Sequence, residues 1–155
     1  MRLNPSRLRR LALAATACAL LTPFTVADSH QPTVSELKEK ISEAGLADRV
    51  PLCIQLSELQ LREADRLYRS GDSQHAKAAL TDVATFAELA RDYSIQTRKH
   101  EKKSEIAVRK MVRKLTDLKH SVAFDDQAEV QSTIDRLQRV RDDLLAAMFP
   151  EGNKK

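Results

Sequence analysis

The sequence predicts an all-α protein, an elongated helical bundle of four helices in which one long helix forms a spine. No Gly or Pro occurs in the 78 residues between Gly71 and Pro150. Apolar residues recur at spacings of three and four, as on one face of an α-helix. The chain has only 3 Gly and no Trp in 155 residues, which does not favour β-sandwiches or collagen-like repeats.

The first predicted helix spans residues 35–44. Thr33 followed by Glu36 is a capping-box pattern, and Gly45 suits the position just after a helix. One apolar stripe runs along it: Val34, Leu37, Ile41 and Ala44.

The second predicted helix spans residues 51–70, with Pro51 in its first turn and Gly71 just beyond its end. Its first residues also alternate between apolar and polar, so a strand is the alternative there. Helix is favoured because spacings of three and four continue to Tyr68.

The third predicted helix spans residues 73–121 and would be about 70 Å long. The fourth spans residues 125–149 and ends at Pro150. Short turns make sequential helices antiparallel neighbours. We therefore expect helices two and four to fold back on the two halves of the spine, with Leu118 near Ala128 and Val108 near Leu137.

The first 27 residues have the features of a secretory signal peptide. Four Arg precede an apolar run at residues 11–21, and small residues precede a predicted cleavage site between Ala27 and Asp28. An uncleaved anchor is the alternative, but Pro23 ends the apolar run short of the ~20 residues that span a bilayer. A lipoprotein using Cys18 fits less well. The predicted organisation is a signal peptide over 1–27, a helical domain over 28–150 and a disordered tail over 151–155.

Removal of the signal peptide changes the charge balance. The whole chain has a net charge of +4, and the four Arg of the first 27 residues account for all of it. The predicted mature chain is therefore neutral, and the basic isoelectric point does not indicate a nucleic-acid-binding protein. The predicted signal peptide indicates a periplasmic or secreted bacterial protein without a membrane span after cleavage.

A basic segment at residues 98–119 is the strongest local anomaly. It could contact a polyanion such as lipopolysaccharide or an anionic lipid. Nucleic acid is disfavoured because no aromatic residue is interleaved for base stacking. The alternative is a solvated helix face balanced by Asp135, Asp142 and Asp143. The candidate contacts are Arg98, Lys99, Lys102, Lys103, Arg109, Lys110, Arg113 and Lys114.

An apolar end of the fourth helix is the candidate protein interface. The predicted register places it opposite the polar residues 97–102, so its side chains need another partner. We expect helix one to cover them, and a homodimer surface if it does not. The residues are Leu144, Leu145, Met148 and Phe149.

No motif of catalysis or of metal or cofactor binding is present, so we expect no catalytic, cofactor-binding or metal residues. Asp72 with His75, and Asp117 with His120, have metal-like spacing but are better explained by capping and solvation. Cys53 is expected to be a buried apolar residue, with an intermolecular disulfide as the alternative.

The sequence therefore predicts an exported, non-enzymatic interaction, scaffold or chaperone-like protein whose partner is another protein. The second hypothesis is a polyanion-binding protein acting through residues 98–119. An enzyme or cofactor carrier is a third, because sites assembled across helices leave little trace in a sequence.

Overall fold

A computed structural model describes residues 32–150 of the chain. This part is all-α, as predicted, and contains five helices rather than four. They are α1 (Val34–Glu43), α2 (Leu46–Arg69), α3 (Ser73–Thr97), α4 (Glu101–Ser121) and α5 (Phe124–Met148). The predicted signal peptide and tail lie outside the described residues.

Helices α1 and α2 meet at a single break around Gly45. Thr33 and Glu36 form the predicted capping box, with the Glu36 N–H donating to Thr33 Oγ1 at 3.3 Å. α2 starts at Leu46, five residues earlier than predicted, with Gly45 as its N-cap and Pro51 inside it. Pro51 is the sixth residue of α2, where it cannot donate the backbone hydrogen bond of the second turn, and the helix continues through it.

The turn between α2 and α3 forms where the sequence predicts it. Gly71 has φ +82°, a conformation in which a side chain would be strained. The Asp72 N–H donates to the Leu67 carbonyl at 2.9 Å and the Gly71 N–H to the Tyr68 carbonyl at 3.1 Å, a Schellman ending. Asp72 then caps α3 by accepting from the His75 N–H. The chain thereby reverses within three residues.

The predicted spine helix is wrong, because it breaks at residues 98–100. Arg98 and His100 both have left-handed backbones, with φ of 51° and 65°. The Arg98 and Lys99 N–H groups both donate to the Ser94 carbonyl, and the Ser94 hydroxyl donates to the Lys99 carbonyl at 2.6 Å. The left-handed conformation costs a non-glycine residue about 1–2 kcal/mol. Packing of α4 beside α2 and α3 offsets that cost.

The two hairpins, α2–α3 and α4–α5, therefore lie side by side instead of end to end. α3 and α5 run parallel, linked by Arg136 to Glu88 at 2.8 Å and by Arg91 to Asp143 at 2.8 Å. α2 and α4 also run parallel but touch much less than α2 and α3, α4 and α5, or α3 and α5 do. This arrangement replaces the elongated, end-to-end bundle predicted from the sequence.

One core joins the four long helices. The Ser57 hydroxyl of α2 donates to the Val83 carbonyl of α3 at 2.7 Å and lies 3.4 Å from the Met111 sulfur of α4. The predicted α4–α5 register is supported by Glu105 pairing with Arg141 at 2.8 Å. The main core residues are Leu61, Ala64, Leu67, Ala76, Ala79, Leu80, Val83, Ala87, Val108, Met111, Leu115, Leu118, Val130, Ile134, Leu137, Val140 and Leu144.

Glycine at the two left-handed positions distinguishes a broken helix from a continuous one. We expect the double variant Arg98→Gly, His100→Gly to be more stable than wild type by up to about 1 kcal/mol, because glycine adopts positive φ without strain. In a continuous helix the same change would cost about 2 kcal/mol. Urea unfolding followed by circular dichroism gives the sign, and Arg109→Gly, at an exposed position inside α4, is the destabilising control.

Candidate functional site

The basic residues of α4 and of the break before it form one exposed surface. All eight basic residues predicted as polyanion contacts are exposed. Arg98 and Lys99 lie in the break, and the other six lie on α4, whose opposite face enters the core through Val108, Met111 and Leu115. We call this surface the basic face; it consists of Arg98, Lys99, Lys102, Lys103, Arg109, Lys110, Arg113 and Lys114.

Carboxylates within the described residues leave most of the basic face unpaired. Of its eight members only Arg109 has a carboxylate within 4 Å there, Glu105 at 3.7 Å. Glu105 is already held by Arg141 of α5 at 2.8 Å. Seven exposed cations therefore have no counter-charge within salt-bridge distance among residues 32–150.

Within residues 32–150, none of the three acidic residues of α5 expected to balance this face forms a salt bridge with it. Asp143 pairs with Arg91 of α3 at 2.8 Å, and Asp135 accepts from Gln131 at 2.7 Å. Asp142 forms no salt bridge within residues 32–150. The packing of α5 against α3 directs Asp143 away from α4, which the predicted spine arrangement could not anticipate.

A groove between α2 and α4 borders the basic face. Its largest cleft, of about 420 Å³, lies between Arg62 and Arg69 on α2 and Lys114 on α4. Two smaller clefts of about 310 and 190 Å³ continue it past Lys103 and Lys110. The groove follows from the limited contact between α2 and α4.

Basic and apolar side chains line the groove together. Its apolar lining includes Leu61, Met111 and Leu118. Asp65, which is paired with Arg69 at 2.9 Å, and Asp117 also line the largest cleft, and Glu58 lines the two smaller ones. Lysine and arginine side chains at such a rim can form charge-assisted hydrogen bonds to phosphate or carboxylate oxygens.

Sequence reasoning missed the contribution of α2 to this site. Arg62 and Arg69 lie two helical turns apart and line the same cleft as Lys114. The seven-residue spacing was the available indication of a shared face. It could not be linked to α4, because the predicted spine kept α2 and α4 apart.

The four residues of the candidate protein interface on α5 differ in their exposure to solvent. Leu144 is fully buried in the core and so does not belong to a surface. Leu145 and Met148 are half-buried, while Phe149 is 71% exposed. The expectation that helix one covers this end is wrong: within the described residues α1 packs against α2 and makes no backbone contact with α5.

The spacings that resembled metal sites belong to separate parts of the bundle. His75 Nδ1 lies 2.8 Å from Asp72 at the N-terminus of α3, in the predicted capping arrangement. His120 is exposed at the end of α4. Within residues 32–150 no three His, Cys, Asp or Glu side chains are grouped as metal ligands would be.

Cys53 is fully buried beside Val50 and Ala90, as the apolar interpretation expected. Burial raises the pKa of its thiol to about 11, and the nearby Arg49 charge offsets only part of that rise. The reactive thiolate is therefore scarce at neutral pH.

We expect iodoacetamide at pH 8 to modify native Cys53 at least about 100-fold more slowly than the same residue in concentrated guanidinium chloride, because both burial and the raised pKa suppress the thiolate. Mass spectrometry of the Cys18→Ser variant measures this rate without a second cysteine. Equal rates in the two conditions would contradict the buried position.

In the part of the chain that the structure describes, no helix is both long and apolar enough to cross a bilayer. Comparison of the chain with protein-family models, with curated proteins and with solved structures finds no match.

Proposed function

We propose that the protein is an exported, non-enzymatic binding protein that attaches to an anionic surface, such as the phosphates of lipopolysaccharide or of anionic lipids, through the basic face. One observation carries the proposal: seven of eight exposed cations on this face have no carboxylate within 4 Å in the described residues. An external anion would supply the counter-charge that residues 32–150 do not.

The spacing of the cations fits an extended surface better than one small anion. Lys102 and Lys114 lie twelve residues apart on α4, which corresponds to about 18 Å along a helix. A lysine or arginine close to an anionic lipid surface contributes about 1 kcal/mol. Four lysines acting together would therefore contribute about 4 kcal/mol, or roughly a thousandfold in affinity.

The N-terminal sequence supports placing this binding outside the cytoplasm. A basic stretch, an apolar stretch and the small residues before Ala27 together predict export. Nucleic acid is a less suitable ligand in that compartment, and residues 98–119 include no Phe, Tyr or Trp that could stack on bases.

Replacement of Lys99, Lys103, Lys110 and Lys114 by Gln tests the proposal. We expect the variant to bind anionic vesicles at least tenfold more weakly in low salt, with a shallower salt dependence, because fewer counterions are released on binding. Gln is also a good helix former, so helix content should be unchanged. Vesicle flotation measures the affinity.

A variant with the same change in net charge elsewhere is the control. Lys38, Lys40, Arg66 and Arg139 are exposed and lie outside the basic face, and their replacement by Gln should weaken binding less than threefold. Equal losses in the two variants would show that net charge alone drives binding and would contradict a dedicated face.

A second candidate is a scaffold or chaperone-like protein that binds another protein. The exposed Phe149 favours it. Capture of a defined partner that persists in high salt and is lost in Phe149→Ser would support this function in place of the first.

A further inference from the structure

Two phenylalanines are the most exposed large apolar residues of the described chain, and they lie at opposite ends of the bundle. Phe149 is 71% exposed at the end of α5, and Phe124 is 85% exposed at its start. Transfer of a side chain of this size out of water lowers the free energy, so exposed phenylalanines often mark sites of interaction. The two ends differ in what surrounds the ring.

Near Phe149, apolar and basic side chains occur together. A small cleft there is lined by Ile95 of α3, Arg98 and Glu101 together with Ala147 and Pro150. Ile95 is itself 39% exposed. Lys99 and Lys102 follow Arg98 and are exposed, and Glu101 is the one acidic residue among residues 98–103.

Near Phe124 the charge is of the opposite sign. The ring is followed directly by Asp125 and Asp126 at the start of α5. Asp126 accepts from Ser73 at 2.7 Å and pairs with Lys77 at 2.8 Å, while Asp125 is exposed. Carboxylates would be repelled by an anionic surface, so this end serves as an internal comparison.

We propose that Ile95 and Phe149 enter the headgroup region of an anionic lipid bilayer, while Arg98, Lys99 and Lys102 bind the surrounding phosphates. Amphipathic surfaces of this kind combine apolar insertion with electrostatic attraction, and the long basic side chains can reach the lipid phosphates while Ile95 and Phe149 lie deeper. This inference rests on the proposed function. It assigns the bilayer as the partner of the basic face and places the contact at the end of the bundle that carries Phe149.

The same features disfavour other occupants of this end. A second copy docked end to end would place Arg98, Lys99 and Lys102 against the same cations of its partner. The cleft beside Ile95 measures only about 190 Å³, smaller than the roughly 300–1,000 Å³ typical of ligand pockets. An anionic, deformable surface complements these positive charges and needs no deep pocket for binding.

The absence of Trp from the chain makes the test direct. Phe149→Trp and Phe124→Trp each introduce a single fluorescent reporter at an exposed ring position. With vesicles containing phosphatidylglycerol, we expect a blue shift and strong quenching by brominated lipid for Phe149→Trp, and neither for Phe124→Trp. Both variants should float with the vesicles to the same extent.

Serine variants give the matching binding data. Phe149→Ser should weaken vesicle binding about tenfold, whereas Phe124→Ser should change it less than twofold. Both positions are exposed, so circular dichroism should show unchanged folding.

The outcomes separate this inference from the proposed function. Wild-type protein that does not float with anionic vesicles would overturn both. Normal flotation with an unshifted Phe149→Trp spectrum would overturn insertion and leave surface binding by the basic face intact. Equal shifts at positions 124 and 149 would also overturn the inference, because contact would not be specific to one end.

Discussion

Leu115→Asp is expected to destabilise the protein by more than about 4 kcal/mol, enough to unfold much of it at 25 °C. Leu115 is fully buried in the core between α4 and the surrounding helices. Loss of a buried leucine side chain alone costs about 2–5 kcal/mol. An aspartate in its place adds the cost of burying an unpaired carboxylate. Domains of this size are stable by only about 5–15 kcal/mol.

Thermal and urea unfolding followed by circular dichroism measure this effect. Lys102→Asp is the control, because Lys102 is exposed in the first turn of α4, where negative charge interacts favourably with the helix dipole. We expect the control to change stability by less than about 0.5 kcal/mol. Similar losses in the two variants would mean that the face of α4 assigned to the core is wrong.

Arg141→Ala is expected to lower the free energy of unfolding by about 2 kcal/mol. Its guanidinium donates to Glu105 at 2.8 Å, and the Glu105 side chain is only 9% exposed. Removal of Arg141, whose own side chain is 39% exposed, leaves the buried Glu105 carboxylate without its nearest counter-charge. Arg109, at 3.7 Å, retains part of the interaction and limits the loss.

Two further variants identify the cause. Arg139→Ala, at an exposed position on the same helix, should change stability by less than about 0.5 kcal/mol. The double variant Glu105→Leu, Arg141→Leu should recover most of the loss, because apolar replacement of a buried ion pair is often neutral. If the double variant is less stable than Arg141→Ala, the uncompensated Glu105 is not the source of the loss.

Local chemistry made much of the fold predictable. Thr33 and Glu36 identified the start of α1, and Gly71 with Asp72 identified the α2–α3 turn. These features act within a few residues, so a sequence contains all of the information that they need. The predicted fourth helix agrees with α5 to one residue at each end.

The break at residues 98–100 was not predictable from the same rules. Arg98 is not a residue that favours positive φ, although histidine is among the residues enriched there. Packing between helices distant in sequence offsets the cost of the left-handed conformation. The indication available was the interrupted apolar stripe: residues 94–105 contain only Ile95 as a large apolar side chain. A continuous helix through these residues would have buried little apolar surface.

Some features of the candidate site could likewise be predicted from the sequence, and others could not. The exposure of the basic face followed from helical spacing, because Val108, Met111 and Leu115 had to face the core. The lack of counter-charges did not follow, since it depends on Asp143 turning to Arg91 of α3. The burial of Leu144 also depends on the parallel packing of α3 and α5, which a spine helix excludes.

The central claim is that the unpaired cations of α4 bind an anionic surface, and the salt dependence of wild-type binding tests it most directly. Flotation with phosphatidylglycerol vesicles, measured from low salt to above ~0.15 M, should show binding that falls linearly on a log–log plot. Vesicles of phosphatidylcholine alone should bind at least tenfold more weakly at low salt. Equal binding to both kinds of vesicle, or no binding to anionic vesicles at low salt, would contradict the claim.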